Sequence, residues 1–354
     1  MRRAMKEIEV RASRSYRVMI GEELLSRAGE LAAPLIEGRR ALIAAGETAA
    51  GLYAGCLRES LEKAGFEVVS CTYPSGEAYK TPETLVYIIN TLAEHGFTRS
   101  DAVFALGGGV TGDMAGLAAA LYQRGIACVL LPTTLLAAVD ASVGGKTAVD
   151  LPAGKNLMGV FAQPRLVLCD PACFSTLPEA VRAEGWAEII KCAALRGGRL
   201  LELLQDGEAD RRLEEIIALC VELKRELVER DEYDRGERRL LNFGHTIGHA
   251  IEKLSAYAEP HGRAVAAGMA ITSRAACAAG ICDTVCVETL EKLLDRFGLP
   301  KSCAYAPEAL LAAVRADKKR SGERITMALP RRFGDCCLFD MDWKELGELI
   351  ARGV

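Results

Sequence analysis

The sequence predicts an α/β domain built on a mostly parallel sheet, followed by an all-helical domain, with the change near residue 177. Two observations carry this. In the first half, short apolar runs alternate with segments of helical periodicity, the pattern of strands joined by helices. In the second half, long helical patterns follow one another with one short strand candidate near the end. The expected domains are 1–176 and 177–354.

The strands come in order as "RVMIG" (17–21), "RRALIAAG" (39–46), "FEVVSCTY" (66–73), "DAVFALGGG" (101–109), "GIACVLLPTT" (125–134) and "RLVLCD" (165–170). Most are apolar throughout, as strands buried on both faces must be. Between them, Thr48 to Ala64 and Pro82 to His95 carry apolar residues at helical spacing. The later helices are expected over 178–197, 211–231, 242–257, 262–280 and 285–298, with "ERITMALP" (323–330) as the strand candidate.

Bulk properties narrow the function. The chain has 354 residues, is 50% hydrophobic and 26% charged, and carries a formal net charge of -4. That balance suits a soluble globular protein and argues against broad binding to nucleic acid. The N-terminal "MRRAMKEIEVRASRSYRVMIG" turns charged where a signal peptide needs an apolar stretch. The longest apolar run, Ile126 to Val139, is broken by Pro132, Thr133 and Thr134 and is too short for a bilayer. Thirteen cysteines are scattered from Cys56 to Cys337 without a C-x-x-C pair; Cys282 and Cys286 are spaced one helical turn apart, and Cys336 and Cys337 are adjacent. They read as reduced core thiols, which places the protein in a cytoplasmic compartment away from membranes.

"SVGGKTAVD" (142–150) looks at first like the end of a phosphate-binding P-loop. Asp140, five residues before Gly145, stands where that loop needs glycine, and a carboxylate repels phosphate. Gly107, Gly109 and Gly112 form G-x-G-x-x-G between an apolar strand and a helical run. This is either a dinucleotide-binding turn, where backbone N–H groups and the helix N-terminus meet a pyrophosphate, or a tight turn that needs glycine for packing. Three of four histidines fall within seventeen residues: His245 and His249 at i and i+4, and His261 at the start of the next helix. Such a cluster suits a divalent metal or catalysis. Glu188 and Lys191, at i and i+3 in "GWAEIIK", are a surface pair or part of a polar site. Lys146, Lys155, Arg124, Lys224, Arg238 and the Lys318–Lys319 pair, several of them beside glycines in loops, suit a small anionic ligand.

With these residues in view, "GGGVTGDMAGLAAALYQRGI", "LPTTLLAAVDASVGGKTAVD", "PAGKNLMGVF", "TLP", "GWAEIIK" and "RLLNFGHTIGHAIE", with "HG" at 261–262, resemble the 3-dehydroquinate synthases, a family of sugar phosphate cyclases. The resemblance runs from about Gly76 to Lys319 and implies a Rossmann-like first domain. It further implies that Glu188, His245 and His261 hold zinc (or cobalt), with His249 near the substrate instead of on the metal. NAD would be bound by Glu77, Lys80, Gly108, Gly109, Asp113, Thr133 and Thr134, with Lys146, Lys155 and Thr176 also on the cofactor side. The implied substrate is 3-deoxy-D-arabino-heptulosonate 7-phosphate. It would meet Asp140, Lys146, Lys155, Asn156, Lys191, Lys224, Arg238 and Asn242, and one of Lys318 and Lys319, with Lys319 the preferred choice. Lys146, Lys155 and Asn156 would grip the phosphate, and Lys224 and Arg238 the carboxylate. Arg124 would reach a neighbouring subunit's site, which implies a homodimer.

The implied chemistry is transient oxidation by NAD, phosphate elimination, reduction and aldol ring closure, a lyase step in aromatic amino acid biosynthesis. Three departures stand out. Gly46 occupies a turn position where the family usually has aspartate for the adenosine ribose, Ala180 a slot common to arginine, and Asp150 one frequent for asparagine. The rival readings are another sugar phosphate cyclase, a metal-dependent polyol dehydrogenase of related fold, and a non-catalytic binding module.

Overall fold

Apolar stretches bounded by glycine, proline and aspartate set the strand positions. In the computed structural model, which describes residues 5–317 and 324–354, the strands of the first unit are β1 (Lys6–Val10), β2 (Tyr16–Ile20), β3 (Arg40–Gly46), β4 (Glu67–Tyr73), β5 (Ala102–Gly107), β6 (Ala127–Pro132), β7 (Lys146–Leu151), β8 (Gly154–Phe161) and β9 (Leu166–Cys169), of which β1 and β7 lack such a run. The chain divides into two compact units. One comprises residues up to Leu177 together with Lys224–Glu232; the other comprises Pro178–Leu223 and Tyr233–Val354. The stretch 224–232 therefore belongs with the first unit, a departure from a single cut near 177.

Seven strands of the first unit form one sheet in the order β1-β2-β9-β6-β5-β3-β4. Every neighbouring pair is parallel except β1 with β2. All six residues of β5 are buried, which explains its unbroken apolar run. The helix Pro82–Glu94 packs Leu85, Ile88 and Leu92 into the core cluster that holds Leu42, Val103, Ala105 and Met114. Thr81 starts that helix by accepting the Thr84 backbone N–H through its hydroxyl.

β7 and β8 form a separate antiparallel hairpin, with Lys146 opposite Phe161 and Thr147 opposite Val160. This corrects the reading of the Lys146 and Lys155 stretches as loops. Gly159 explains the close pairing, because a Cβ there would lie 2.3 Å from the Thr147 carbonyl oxygen.

Among the described residues, the second unit is helical apart from one hairpin. The helices are Glu179–Arg196, Gly198–Gln205, His245–Leu254, His261–Ala278, Thr284–Arg296, Pro307–Asp317 and Trp343–Gly353, with Leu213–Arg230 contributing its first part. The expected strand near the C-terminus is present as β10 (Arg324–Arg332) and gains a partner, β11 (Asp335–Asp342). Among the described residues no helix is long and apolar enough to cross a membrane.

Helices His245–Leu254 and His261–Ala278 meet at backbone distance. A Cβ on Gly248 would lie 3.0 Å from the Val265 Cα, and one on Gly268 only 2.1 Å from the Gly244 carbonyl oxygen. Gly244 also has φ +79, a conformation that costs glycine little. Small residues thus bring the two histidine-bearing helices together. Cys282 and Cys286 do not share a helix turn: Cys282 precedes the helix, and Asp283 is its N-cap.

Candidate metal and dinucleotide sites

In the helical unit, Glu188 sits mid-helix among Trp186, Ile189 and Ile190 and is 0% exposed. Lys191, one turn on, is 1% exposed, and its ammonium pairs with Glu188 Oε2. A surface pair is therefore excluded, since both charges have left water together. Glu188 Oε1 lies 3.5 Å from His245 Nε2 and 3.7 Å from His261 Nε2. One ligand atom from each of Glu188, His245 and His261 falls within 4.8 Å of the others. Two imidazole nitrogens and one carboxylate oxygen form a donor set of the catalytic zinc type.

The ring orientation has a local cause. His245 Nδ1 lies 3.2 Å from the Phe243 carbonyl oxygen, which favours the tautomer protonated there and turns the Nε2 lone pair toward Glu188. Burial lowers the His245 pKa to about 3, aided by the Lys191 charge, so this ring stays neutral and able to ligate. For His261, burial acts in the same direction, but hydrogen bonding to Glu188 and Glu252 outweighs it and raises its pKa to about 10.

Sequence reasoning missed Glu252. It is 2% exposed, and its Oε1 lies 3.5 Å from His261 Nδ1. His249 Nε2 lies 4.0 Å from Glu252 Oε2, and His249, Glu252 and His261 form a second overlapping group of donors. The signal was present: His245, His249 and Glu252 fall at i, i+4 and i+7, one face of the helix. Arg238 is 2% exposed in the same unit, and Asn242 ends the short helix Glu237–Asn242.

In the α/β unit, the helix Gly109–Leu121 opens directly after β5, with Gly108 as its N-cap. A Cβ on Gly107 would lie 2.5 Å from Thr111 Oγ1, and one on Gly108 3.1 Å from Thr134 Cγ2. The turn is thus held open by the missing side chains, leaving backbone N–H groups at a helix N-terminus as a cradle fit for a pyrophosphate. The Thr133 backbone N–H donates to the Gly107 carbonyl at 2.9 Å, fixing the two loops together.

Lys80, 5% exposed, donates to Asp113 Oδ2 at 2.7 Å and to Asn156 Oδ1 at 2.6 Å. Burial alone would lower the Lys80 pKa, but the charges of Asp113 and Glu77 outweigh it and raise the value. Asp113 is itself pushed up by burial in spite of Lys80. Lys155 Nζ lies 3.4 Å from Glu77 Oε1, and Lys224 Nζ 2.7 Å from Asp140 Oδ1.

The structure does not gather every expected residue at one point. Lys146 opens β7, whereas Lys155 and Asn156 follow the turn on β8, so the hairpin separates Lys146 from Asn156 by roughly 13 Å at about 3.3 Å per residue. Lys146 and Arg124 do line one recess with Asp113, beside Arg14, Arg99 and Arg165. Thr176 is exposed and hydrogen-bonds the Tyr53 hydroxyl. Lys318 and Lys319 lie outside the described residues.

Two departures from the expected pattern acquire causes. A Cβ on Gly46 would lie 2.8 Å from Ser75 Oγ, which accepts the Thr48 backbone N–H, so Ser75 occupies the space of a side chain at 46. Asp150 Oδ1 accepts the Asn156 N–H at 2.7 Å, holding Asn156 at φ +55.

Comparison with known proteins agrees with this architecture. The structure of 2-deoxy-scyllo-inosose synthase complexed with carbaglucose-6-phosphate, NAD+ and Co2+ matches with TM-score 0.88 and 27% identity, over 99% of this chain and 100% of that one. The 2-epi-5-epi-valiolone synthase of Streptomyces hygroscopicus, with NAD+ and Zn2+ bound, matches with TM-score 0.85 and 28% identity, over 98% and 97%. A glycine turn beside a parallel sheet and a buried carboxylate–imidazole cluster, on this fold, define a protein of the sugar phosphate cyclase class.

Sequence comparison is narrower. The 3-dehydroquinate synthase N-terminal model matches residues 70–184, and the C-terminal model of the same name matches 185–320. A 3-dehydroquinate synthase of Xanthomonas axonopodis pv. citri is 43% identical over 349 residues, 94% of each chain. The chain belongs to the 3-dehydroquinate synthase family.

Proposed function

We propose that the chain is a phosphate-eliminating lyase that converts 3-deoxy-D-arabino-heptulosonate 7-phosphate to 3-dehydroquinate, with NAD and a divalent metal, zinc in the first instance. The reading rests on one observation above all. In a chain matched by both family models, Glu188, His245 and His261 present donors within 4.8 Å of one another. Both related structures described above carry NAD+ and a divalent ion.

When bound, the cation supplies Lewis acidity to a substrate hydroxyl and the nicotinamide a reversible hydride acceptor. The remaining work falls to the chain. His245 offers a neutral nitrogen, His261 gives up its proton as the metal binds, and Lys191 offsets the buried Glu188 charge. His249, half exposed beside Glu252, can hold or release a proton at Nε2. In the α/β unit, Lys155 and Asn156 bind the leaving phosphate and Lys224 the acid group, with Lys146 standing apart from them at the other end of the hairpin; in the helical unit, Arg238 and Asn242 serve substrate binding. Gly108, Gly109, Asp113, Thr133, Thr134, Lys80 and Glu77 hold NAD. Arg124 serves a second copy of the chain in a homodimer.

The net reaction releases phosphate and closes a ring without net redox change. Incubating the protein with the heptulosonate phosphate, zinc and catalytic NAD tests it. Phosphate release without accumulating NADH is expected. Stoichiometric NADH would point to a dehydrogenase instead, and silence toward metal- and NAD-loaded protein would reduce the chain to a binding module.

A further inference from the structure

The helical unit contains a second donor cluster that the proposed reaction does not use. Cys282 lies in the turn after the helix His261–Ala278. Asp283 caps the next helix, its carboxylate accepting the Cys286 backbone N–H at 2.6 Å. Cys286 is the third residue of that helix. The two sulfurs and a carboxylate oxygen of Asp283 all lie within 4.8 Å of one another. Both cysteines are buried, with Ala276, Cys277, Ile281 and Phe333 packed around them, while Asp283 is exposed. The cluster is thus an apolar recess with its acidic donor toward solvent.

We infer that Cys282, Asp283 and Cys286 form a second metal site, for a thiophilic divalent cation of the zinc class. Two sulfurs and one oxygen at this spacing suit three corners of a tetrahedron, with the fourth left for water or another donor. Binding exchanges protons for metal: M2+ with two thiols gives a bis-thiolate complex and two released H+.

A disulfide would use only the two sulfurs, whereas a cation uses both sulfurs and a carboxylate oxygen of the capping Asp283.

The test titrates the full chain, reduced and stripped of metal, with Co2+. Sulfur ligation gives a thiolate-to-cobalt charge-transfer band in the near ultraviolet, which a carboxylate–imidazole centre cannot produce. The band is expected in the wild type and in His245→Ala. It is expected to be lost in Cys282→Ser/Cys286→Ser, with phosphate-releasing turnover on zinc kept at the wild-type level. Because that double variant alters a buried cluster, X-ray absorption on the wild type with two equivalents of zinc supplies a second readout. It should show sulfur at about 2.3 Å in the zinc shell. No band in the wild type, a band that survives in the double variant, or a sulfur-free zinc shell overturns the inference.

Discussion

The Glu188 cluster of the helical unit and the Lys80 cluster of the α/β unit handle charge in different ways. Glu188 and Lys191 are wholly buried on a helix whose other neighbours are apolar, and they meet imidazoles that glycine contacts bring into reach. Lys80, Asp113 and Asn156 come from a loop, a helix and a strand, with Asp113 partly open to solvent. Burying a carboxylate is costly unless strong partners compensate. A cluster that accepts this cost fixes its geometry tightly and suits a metal. One that stays partly wet suits a ligand that must enter and leave.

The contrast can be broken most directly at Glu188. Glu188→Ala should abolish zinc binding and reduce turnover by ~10³-fold or more, since metal assistance is worth several kcal/mol. Metal analysis alongside phosphate release checks it; a variant with full zinc and full rate would show that the cluster is structural. Next in size is Gly268→Val, which drives a side chain into the Gly244 carbonyl and should cost about 1–3 kcal/mol as well as the metal. Thermal melting with and without zinc measures both effects, and an unchanged melt would mean that the helices have room to part.

Glu252→Gln sharpens the picture. It should weaken metal binding by about 10–100-fold, because the residue steadies His261 from behind. A related pH effect has a definite sign. His261 without metal holds its proton up to about 10, so the metal must displace it. Affinity should therefore rise by about tenfold per pH unit between roughly pH 6 and 8. Calorimetry that finds a flat profile would remove His261 from the ligand set. The smallest effect is expected in the wetter cluster: Lys80→Met should raise the Kd for NAD by about tenfold, ~1.4 kcal/mol, with zinc content unchanged. Loss of zinc in that variant would erase the distinction between the two clusters.

How legible the two regions were follows from the same difference. The six strands read from the first half appear in the sheet; the central ones leave uninterrupted apolar runs because they are buried on both faces, and the edge strand β4 shows through its β-branched run instead. β1 escaped notice, since an edge strand that alternates as Lys-Glu-Ile-Glu-Val looks like a charged tail. β7 was hidden by Gly144 and Gly145, whose positive φ values belong to the turn before it, not to a loop around Lys146.

In the helical unit, three histidines drew attention by their rarity, but spacing grouped His249 with His245 and His261. The structure groups Glu188 with the latter two, a contact 57 residues away from His245 in sequence that no local period reports. Glu252 was overlooked because one carboxylate on an amphipathic helix resembles an ordinary solvated residue.

The central claim is that Glu188, His245 and His261 share one divalent ion. An anomalous difference map collected at the zinc edge from crystals grown with zinc tests it most directly. The account predicts a strong peak within bonding distance of a Glu188 carboxylate oxygen and of Nε2 of both histidines. A crystal of fully active protein with no peak there would contradict it.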